Sequence, residues 1–236
     1  MRALILGGTR EHSLGRHIAM QFLKNNISPI LVGRTAAAIA DEPSLAQAQG
    51  VVADLMSPTV ATDILDQIGD LSDISHLVIA GGGPHMRGSL ASHRLNEAKQ
   101  VWGSIVIGPT EVLMLFHART SHPYQLVTVA STSAKKLRSD ETIYASAQAA
   151  RRAVALNFHD ELMERAGATS NLIVCPGGMK TNLWAGTDMD TSSFMDPHEV
   201  AVIIGQAMKR CKLFCELTID RGRDGIPMPE YTYLLG

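Results

Sequence analysis

The 236-residue sequence predicts an α/β fold, a doubly wound parallel sheet of about seven strands with helices on both faces. Three observations carry this. Short runs rich in Val, Ile and Leu recur between longer amphipathic stretches, as in repeated βα units whose strands are buried on both faces. The first such run stops at Gly7-Gly8, and a helical pattern begins within a few residues. Apolar residues form 45% of the chain and charged residues 19%, which supplies a large core and excludes the polar bias of a disordered chain.

The expected strands, in order, are 2–6, 29–32, 51–53, 76–80, 125–130, 171–175 and 216–220, each a β-branched or leucine-rich run bounded by turn residues. Helices are expected over 15–24, 36–49, 60–68, 95–119, 143–165 and 197–209, where apolar residues recur at three and four. Asp196 followed by Pro197 fits a cap and first turn. No repeat or low-complexity linker divides the chain, so one domain over 1–236 is expected. The aperiodic stretch over 177–196, rich in Gly, Thr, Ser and Asp, is a candidate lid.

A net charge of −2 gives no broad basic field, so neither nucleic acid nor an anionic membrane is an expected partner. No apolar run approaches the roughly 20 residues of a membrane span, and no secretory signal is evident. Cys175, Cys211 and Cys215 form no CxxC pair and read as reduced thiols of a cytoplasmic protein. The nine histidines are scattered, and no metal is expected.

The loop Gly7-Gly8-Thr9-Arg10-Glu11-His12-Ser13-Leu14-Gly15 between first strand and first helix has the layout of a phosphate cradle. Small residues let a pyrophosphate approach the backbone, and the helix N-terminus presents N–H groups to it. Any βα turn can hold two glycines, so other positions must agree. After the second strand come Gly33-Arg34-Thr35, where a carboxylate would pair with the ribose 2′-hydroxyl of NAD. Arg34, with Arg10 as the other side of a clamp, suits a 2′-phosphate; the alternative is two solvated surface arginines. NADP(H) is therefore expected over NAD(H). Asp54 and Leu55 come after the third strand, Asp54 either accepting from adenine or capping the next helix.

These features lead into Ser131, thirteen residues before Tyr144, and Pro176-Gly177-Gly178-Met179-Lys180-Thr181 after the sixth strand. Together they resemble the short-chain dehydrogenase/reductase family over nearly the whole chain, and imply a Rossmann-type fold. The resemblance implies that Tyr144 exchanges a proton with the substrate oxygen, that Ser131 polarises that oxygen, and that Pro176, Gly177, Met179 and Thr181 contact the nicotinamide end. Ala80-Gly81-Gly82-Gly83 stands where the family shows Asn-Asn-Ala-Gly, placing Gly81 and Gly82 along the cofactor. The spacing from Gly7 to Ser13-Leu14-Gly15 is similar to the loop of the enoyl-ACP reductase branch.

Two positions depart from the family pattern. Gln148 replaces the lysine four residues after the tyrosine, which hydrogen-bonds ribose and favours phenolate, and Ile105 stands in place of an asparagine. Gln148 keeps the hydrogen bonding and loses the charge. Arg151, seven residues after Tyr144, returns to its helix face and can replace that charge, or else snorkel to solvent as long arginines do. Tyr144 itself reads alternatively as a core aromatic. The resemblance implies an oxidoreductase acting on a carbonyl, alcohol or enone group and built as a homodimer or homotetramer; Arg34 adds the preference for NADP(H), and Met179, Leu183, Trp184, Met189 and Met195 suggest an apolar small molecule as substrate. The alternative is a catalytically silent dinucleotide-binding sensor or interaction protein on the same fold.

Overall fold

The computed structural model describes residues 1–34, 45–164, 167 and 169–235. Its centre is an eight-stranded sheet: β1 (Arg2–Leu6), β2 (Ser28–Gly33), β3 (Gln49–Val52), β4 (Ile74–Ile79), β5 (Gln125–Val129), β6 (Ser170–Pro176), β7 (Phe214–Arg221) and β8 (Pro227–Leu235). The order across the sheet is β3-β2-β1-β4-β5-β6-β7-β8. The chain reverses its direction of winding between β1 and β4, which opens a crevice beyond the carboxyl ends of those two strands.

Neighbours from β3 through β7 pair in parallel, with Leu4 opposite Ile30 on one side of β1 and Leu77 on the other. The expected parallel sheet of about seven strands is present as β1 to β7, and an eighth strand adds to one edge. β8 pairs antiparallel with β7, Leu217 opposite Tyr231 and Ile219 opposite Pro229. An edge strand tolerates the missing N–H groups of Pro227 and Pro229, which an inner strand would not.

Side chains alternate across the strands, so each face has its own core. Ala3 and Ile5 join Ile18 and Phe22 of α1 (Leu14–Leu23) and Val200 and Ile204 of α7 (Pro197–Arg210). Leu4 and Leu6 join Ile64 of α2 (Val60–Ile68), Val112 and Phe116 of α4 (Gly108–Arg119) and Leu162 of α6 (His159–Met163). Asp196 caps α7 as expected, its carboxylate accepting from His198 N at 2.7 Å.

The expected helix over 95–119 is continuous but not uniform. It comprises α3 (Leu95–Trp102), one wide π turn (Gly103–Ile107) and α4. By length and composition alone this rod could cross a bilayer; in the fold it packs against α2 and against α5 (Thr142–Asn157). The expected helix over 143–165 divides into α5 and α6. Most of the helix expected over 36–49 lies outside the described residues, and its last residue, Gln49, instead opens β3.

Candidate active site

The carboxyl ends of β1 and β4 meet through glycine. Leu6 O accepts from Ala80 N at 3.0 Å and also from Gly81 N. Gly7 has φ +98°, and a Cβ there would lie 2.5 Å from Gly81 Cα, so neither the conformation nor the contact admits a side chain. Gly15, in the first turn of α1, would bring a Cβ to 3.0 Å from Gly8 Cα. Loop and helix are thus in backbone contact. Ser13 stands at the N-cap position, but its hydroxyl donates to Arg10 O at 2.7 Å instead of accepting from the helix. The first N–H groups of α1 therefore receive no cap from the Ser13 side chain.

Thr9 is buried against Gly33, leaving no room for a Cβ on that glycine. Arg10 and Arg34 are both exposed at the rim. Thr35 lies outside the described residues. Asp54 does not cap α2, whose N-cap is Thr59; its carboxylate accepts from Met56 N at 3.0 Å, closing a local turn. That corrects the capping alternative, because α2 starts six residues later than Asp54. Leu55 is held by a close approach of α4, where a Cβ on Gly108 would lie 1.9 Å from Leu55 O.

The helix α5 presents Tyr144, Ala147, Gln148, Arg151 and Ala155 on one buried face, at the three- and four-residue steps that bring side chains into line. Tyr144 is only 7% exposed, and burial raises the pKa of its hydroxyl. The charge of Arg151 and hydrogen bonding from Gln148 and Ser131 act in the opposite direction. Ser131 thus lies beside the tyrosine, as the family resemblance implies. Its hydroxyl also accepts from Ser133 N at 3.1 Å, which orients it at the start of a short 3₁₀ turn.

Arg151 does not snorkel. It is buried, with Nε donating to Ile105 O at 2.7 Å, Nη1 to Val129 O at 3.0 Å and Nη2 to Gly81 O at 2.5 Å. One guanidinium ties the π turn, the end of β5 and the glycine loop after β4 to the tyrosine helix. Burial lowers its pKa to about 10, so it keeps its charge at neutral pH. Arg152 faces elsewhere, donating to Glu216 at 2.6 and 3.1 Å.

Gln148 is 3% exposed, and its Oε1 has no hydrogen-bond partner among the described residues. An orphaned buried acceptor beside the tyrosine fits a hydroxyl group from a bound molecule. With the glycine cradle and the uncapped start of α1, this is the donor and acceptor set a dinucleotide requires.

The segment after β6 is tied down at its base. Gly177 N donates to Ile219 O at 2.9 Å, which fixes the exit from Pro176. Lys180 N donates to Met195 O at 2.9 Å and Met195 N to Gly178 O at 3.1 Å, pinning the base of a loop over 178–195. Met179 O accepts both Thr181 N and the Trp184 indole Nε1, each at 2.8 Å. Gly82, by contrast, is exposed, with open space around its Cα.

Residue-type reasoning did not single out His85 or Glu141. The His85 ring lies 4.6 Å from the Tyr144 ring and 4.5 Å from the Trp184 ring, and its Nε2 is 3.5 Å from Glu141 Oε1. Burial pushes the Glu141 carboxyl up, but hydrogen bonds from His85 and Ser133 and the charges of His85 and Arg138 hold it below the usual range. A lone histidine in a glycine run offers little signal. Its position in the loop that follows β4, six residues past Ile79, was the available one.

A family model described as short chain dehydrogenase matches residues 2–191. The chain belongs to the short chain dehydrogenase family. Solved structures share this short chain dehydrogenase's fold at low identity. A short-chain dehydrogenase/reductase from Vibrio parahaemolyticus is 22% identical, with TM-score 0.76 over 94% of this chain and 97% of that one. A short chain dehydrogenase from Salmonella enterica serovar Typhi is 18% identical, with TM-score 0.80 over 93% and 95%. An alcohol dehydrogenase from the archaeon Thermococcus sibiricus, complexed with 5-hydroxy-NADP, is 18% identical, with TM-score 0.76 over 98% and 99%. A search of curated proteins finds no match.

Proposed function

We propose that this short chain dehydrogenase is an NADP(H)-dependent oxidoreductase acting on a carbonyl, alcohol or enone group of an apolar small molecule. The observation that carries the reading is the buried set on α5, with Tyr144 under the influence of Ser131, Gln148 and Arg151 while Gln148 Oε1 stands without a partner among the described residues. The resemblance of the Gly7 to Gly15 spacing to the enoyl-ACP reductase branch, and the seven-residue step from Tyr144 to a cation, support the enone option.

Bound NADPH would supply hydride. Gly7, Thr9, Gly15 and the first N–H groups of α1 would hold its pyrophosphate, Arg10, Arg34 and Thr35 its 2′-phosphate, and Asp54 and Leu55 its adenine. Gly81, Gly82 and Gln148 would border the ribose, and Pro176, Gly177, Met179 and Thr181 the nicotinamide. The Ser131 hydroxyl donates to the substrate oxygen. The Tyr144 hydroxyl gives that oxygen its proton. The phenolate left behind is stabilised by Arg151, whose charge is undiluted by any carboxylate among its hydrogen-bond partners and acts through a water-poor interior. Arg151 thus carries electrostatically what the family's lysine carries, while Gln148 retains the hydrogen bonding.

The remaining features fit the same reading. The 177–196 segment serves as the lid of one domain. Exposed Trp102, Ile107 and Met114 along the 95–119 rod offer an apolar face for a homodimer or homotetramer, and three free, buried cysteines suit the cytoplasm. The experiment is a screen of NADPH oxidation on ketones, quinones and enones, with pH–rate profiles of the parent, Tyr144→Phe and Gln148→Lys. Tyr144→Phe is expected to lower the rate by about 10²–10⁴-fold and leave NADPH affinity intact. NADPH binding without turnover in the parent and both variants would favour the silent binder, and a rate unchanged in Tyr144→Phe would remove the proton-transfer role.

A further inference from the structure

Four rings stand in a run across the mouth of the site. Tyr144 contacts His85 at 4.6 Å, His85 contacts Trp184 at 4.5 Å, and Trp184 contacts Phe194 at 5.1 Å, all in tilted or edge geometries. The Arg221 guanidinium closes the far end, 4.9 Å from the Phe194 centroid. Two of these rings, Tyr144 and His85, belong to the body of the fold; the other two belong to the 178–195 loop. The run therefore has its joint between His85 and Trp184.

His85 is anchored on the body side by Glu141, which Ser133 holds in turn at 2.9 Å. On the loop side, Trp184 is tied to its own segment through Met179 O, and Phe194 lies against Gly178, where a Cβ would come within 2.9 Å of the ring. Trp184 and Phe194 thus belong to one unit whose base is the Lys180–Met195 and Met195–Gly178 bonding. The joint adjoins the nearly buried Tyr144, whose ring His85 meets directly.

Building on the oxidoreductase reading, we propose that His85 and Trp184 are specificity-determining residues that select a flat, conjugated carbonyl compound, such as an aryl ketone or a quinone. A planar ring entering between them replaces one aromatic contact by two. A puckered aliphatic ring of the same size breaks the His85–Trp184 contact and returns only dispersion. Aromatic pairs contribute beyond their buried area by an amount equivalent to between about twofold and tenfold in affinity, so the preference should be of that order.

The test compares kcat/KM for acetophenone and cyclohexyl methyl ketone with NADPH in the parent, Trp184→Leu and Trp184→Tyr. The parent should prefer acetophenone by up to about tenfold, Trp184→Leu should bring the ratio near unity, and Trp184→Tyr should restore it. An even ratio in the parent, or a ratio that survives Trp184→Leu, overturns the inference while leaving the oxidoreductase reading in place. A second arm needs no turnover. The chain has two tryptophans, so in a Trp102→Phe background fluorescence reports Trp184 alone. Saturable quenching by acetophenone in the NADPH-loaded protein, with weak competition or none from cyclohexyl methyl ketone, supports the site even if neither ketone is reduced. No quenching together with no reduction overturns it.

Discussion

Replacing Arg151 by Met removes three hydrogen bonds at once, to the carbonyls of Ile105, Val129 and Gly81 on three separate elements. Hydrogen bonds to a charged group contribute about 1.5–3 kcal/mol each, but the protein also ceases to bury a guanidinium, and that relief offsets part of the loss. The balance is a destabilisation of about 3–5 kcal/mol, the range found when one partner of a buried charged set is removed. For a chain of this size that corresponds to a fall of roughly 10 °C in melting temperature. Urea unfolding monitored by circular dichroism measures the first quantity and a thermal scan the second. Arg151→Lys separates geometry from charge, because a single ammonium cannot reach three carbonyls on three elements. It should recover less than half of the stability, yet keep more turnover than Arg151→Met when both are assayed at a temperature where each is folded. A loss below about 1 kcal/mol in Arg151→Met would refute the bracing role, since that is the scale of an ordinary surface change.

Arg34→Asp should reverse or erase the preference for NADP(H), measured by calorimetry with both cofactors; equal affinities in the unmodified protein would remove the basis for the 2′-phosphate assignment. Gly15→Val should abolish NADPH binding with the far-ultraviolet spectrum retained, because the branched side chain would drive the loop backbone at Gly7 and Gly8 away from its place. Unchanged affinity would place the phosphate site elsewhere. The third concerns acid. Burial lowers the pKa of His76, on β4 beside Phe22, to about 4. A depressed histidine contributes stability that is complete above its unfolded value near 6.5 and is lost as pH falls toward 4, a difference of about 3 kcal/mol. His76→Gln should flatten that limb in urea unfolding at pH 7 and pH 4.5, and an unaltered slope would assign the acid sensitivity to other groups.

The inner strands were legible because burial on both faces forces unbroken runs such as Leu4-Ile5-Leu6 and Leu77-Val78-Ile79, and α2 matched its expected bounds because its apolar spacing is regular. β8 was not legible. Pro227 and Pro229 interrupt the kind of β-branched run that marks the other strands, and pairing with β7 makes this segment a strand. Within the site, Ser131 and Tyr144 were picked out through the resemblance to the family, not through any local pattern of their own. The role of Arg151 was not legible, because snorkelling and burial produce the same spacing and differ only in what lies beyond the side chain. Asp54 shows the same limit: its short side chain found a partner two residues away, which no periodicity encodes. The contact of His85 with Trp184 joins residues far apart in the chain and had no local signature.

The wide turn at Gly103–Ile107 inserts extra length into the helix that contains it, and each added residue rotates the downstream half by about 100°. Before the turn closes, Val101 and Ile105 point at the tyrosine cluster; beyond it, Val112, Leu113 and Phe116 point into the core beneath the sheet. The rod is therefore two helices out of phase with each other, and the phase step lets one continuous element line a reaction site and wall a hydrophobic interior. Deleting a single residue there would leave a good helix behind, but would turn one of its two halves away from the surface it serves.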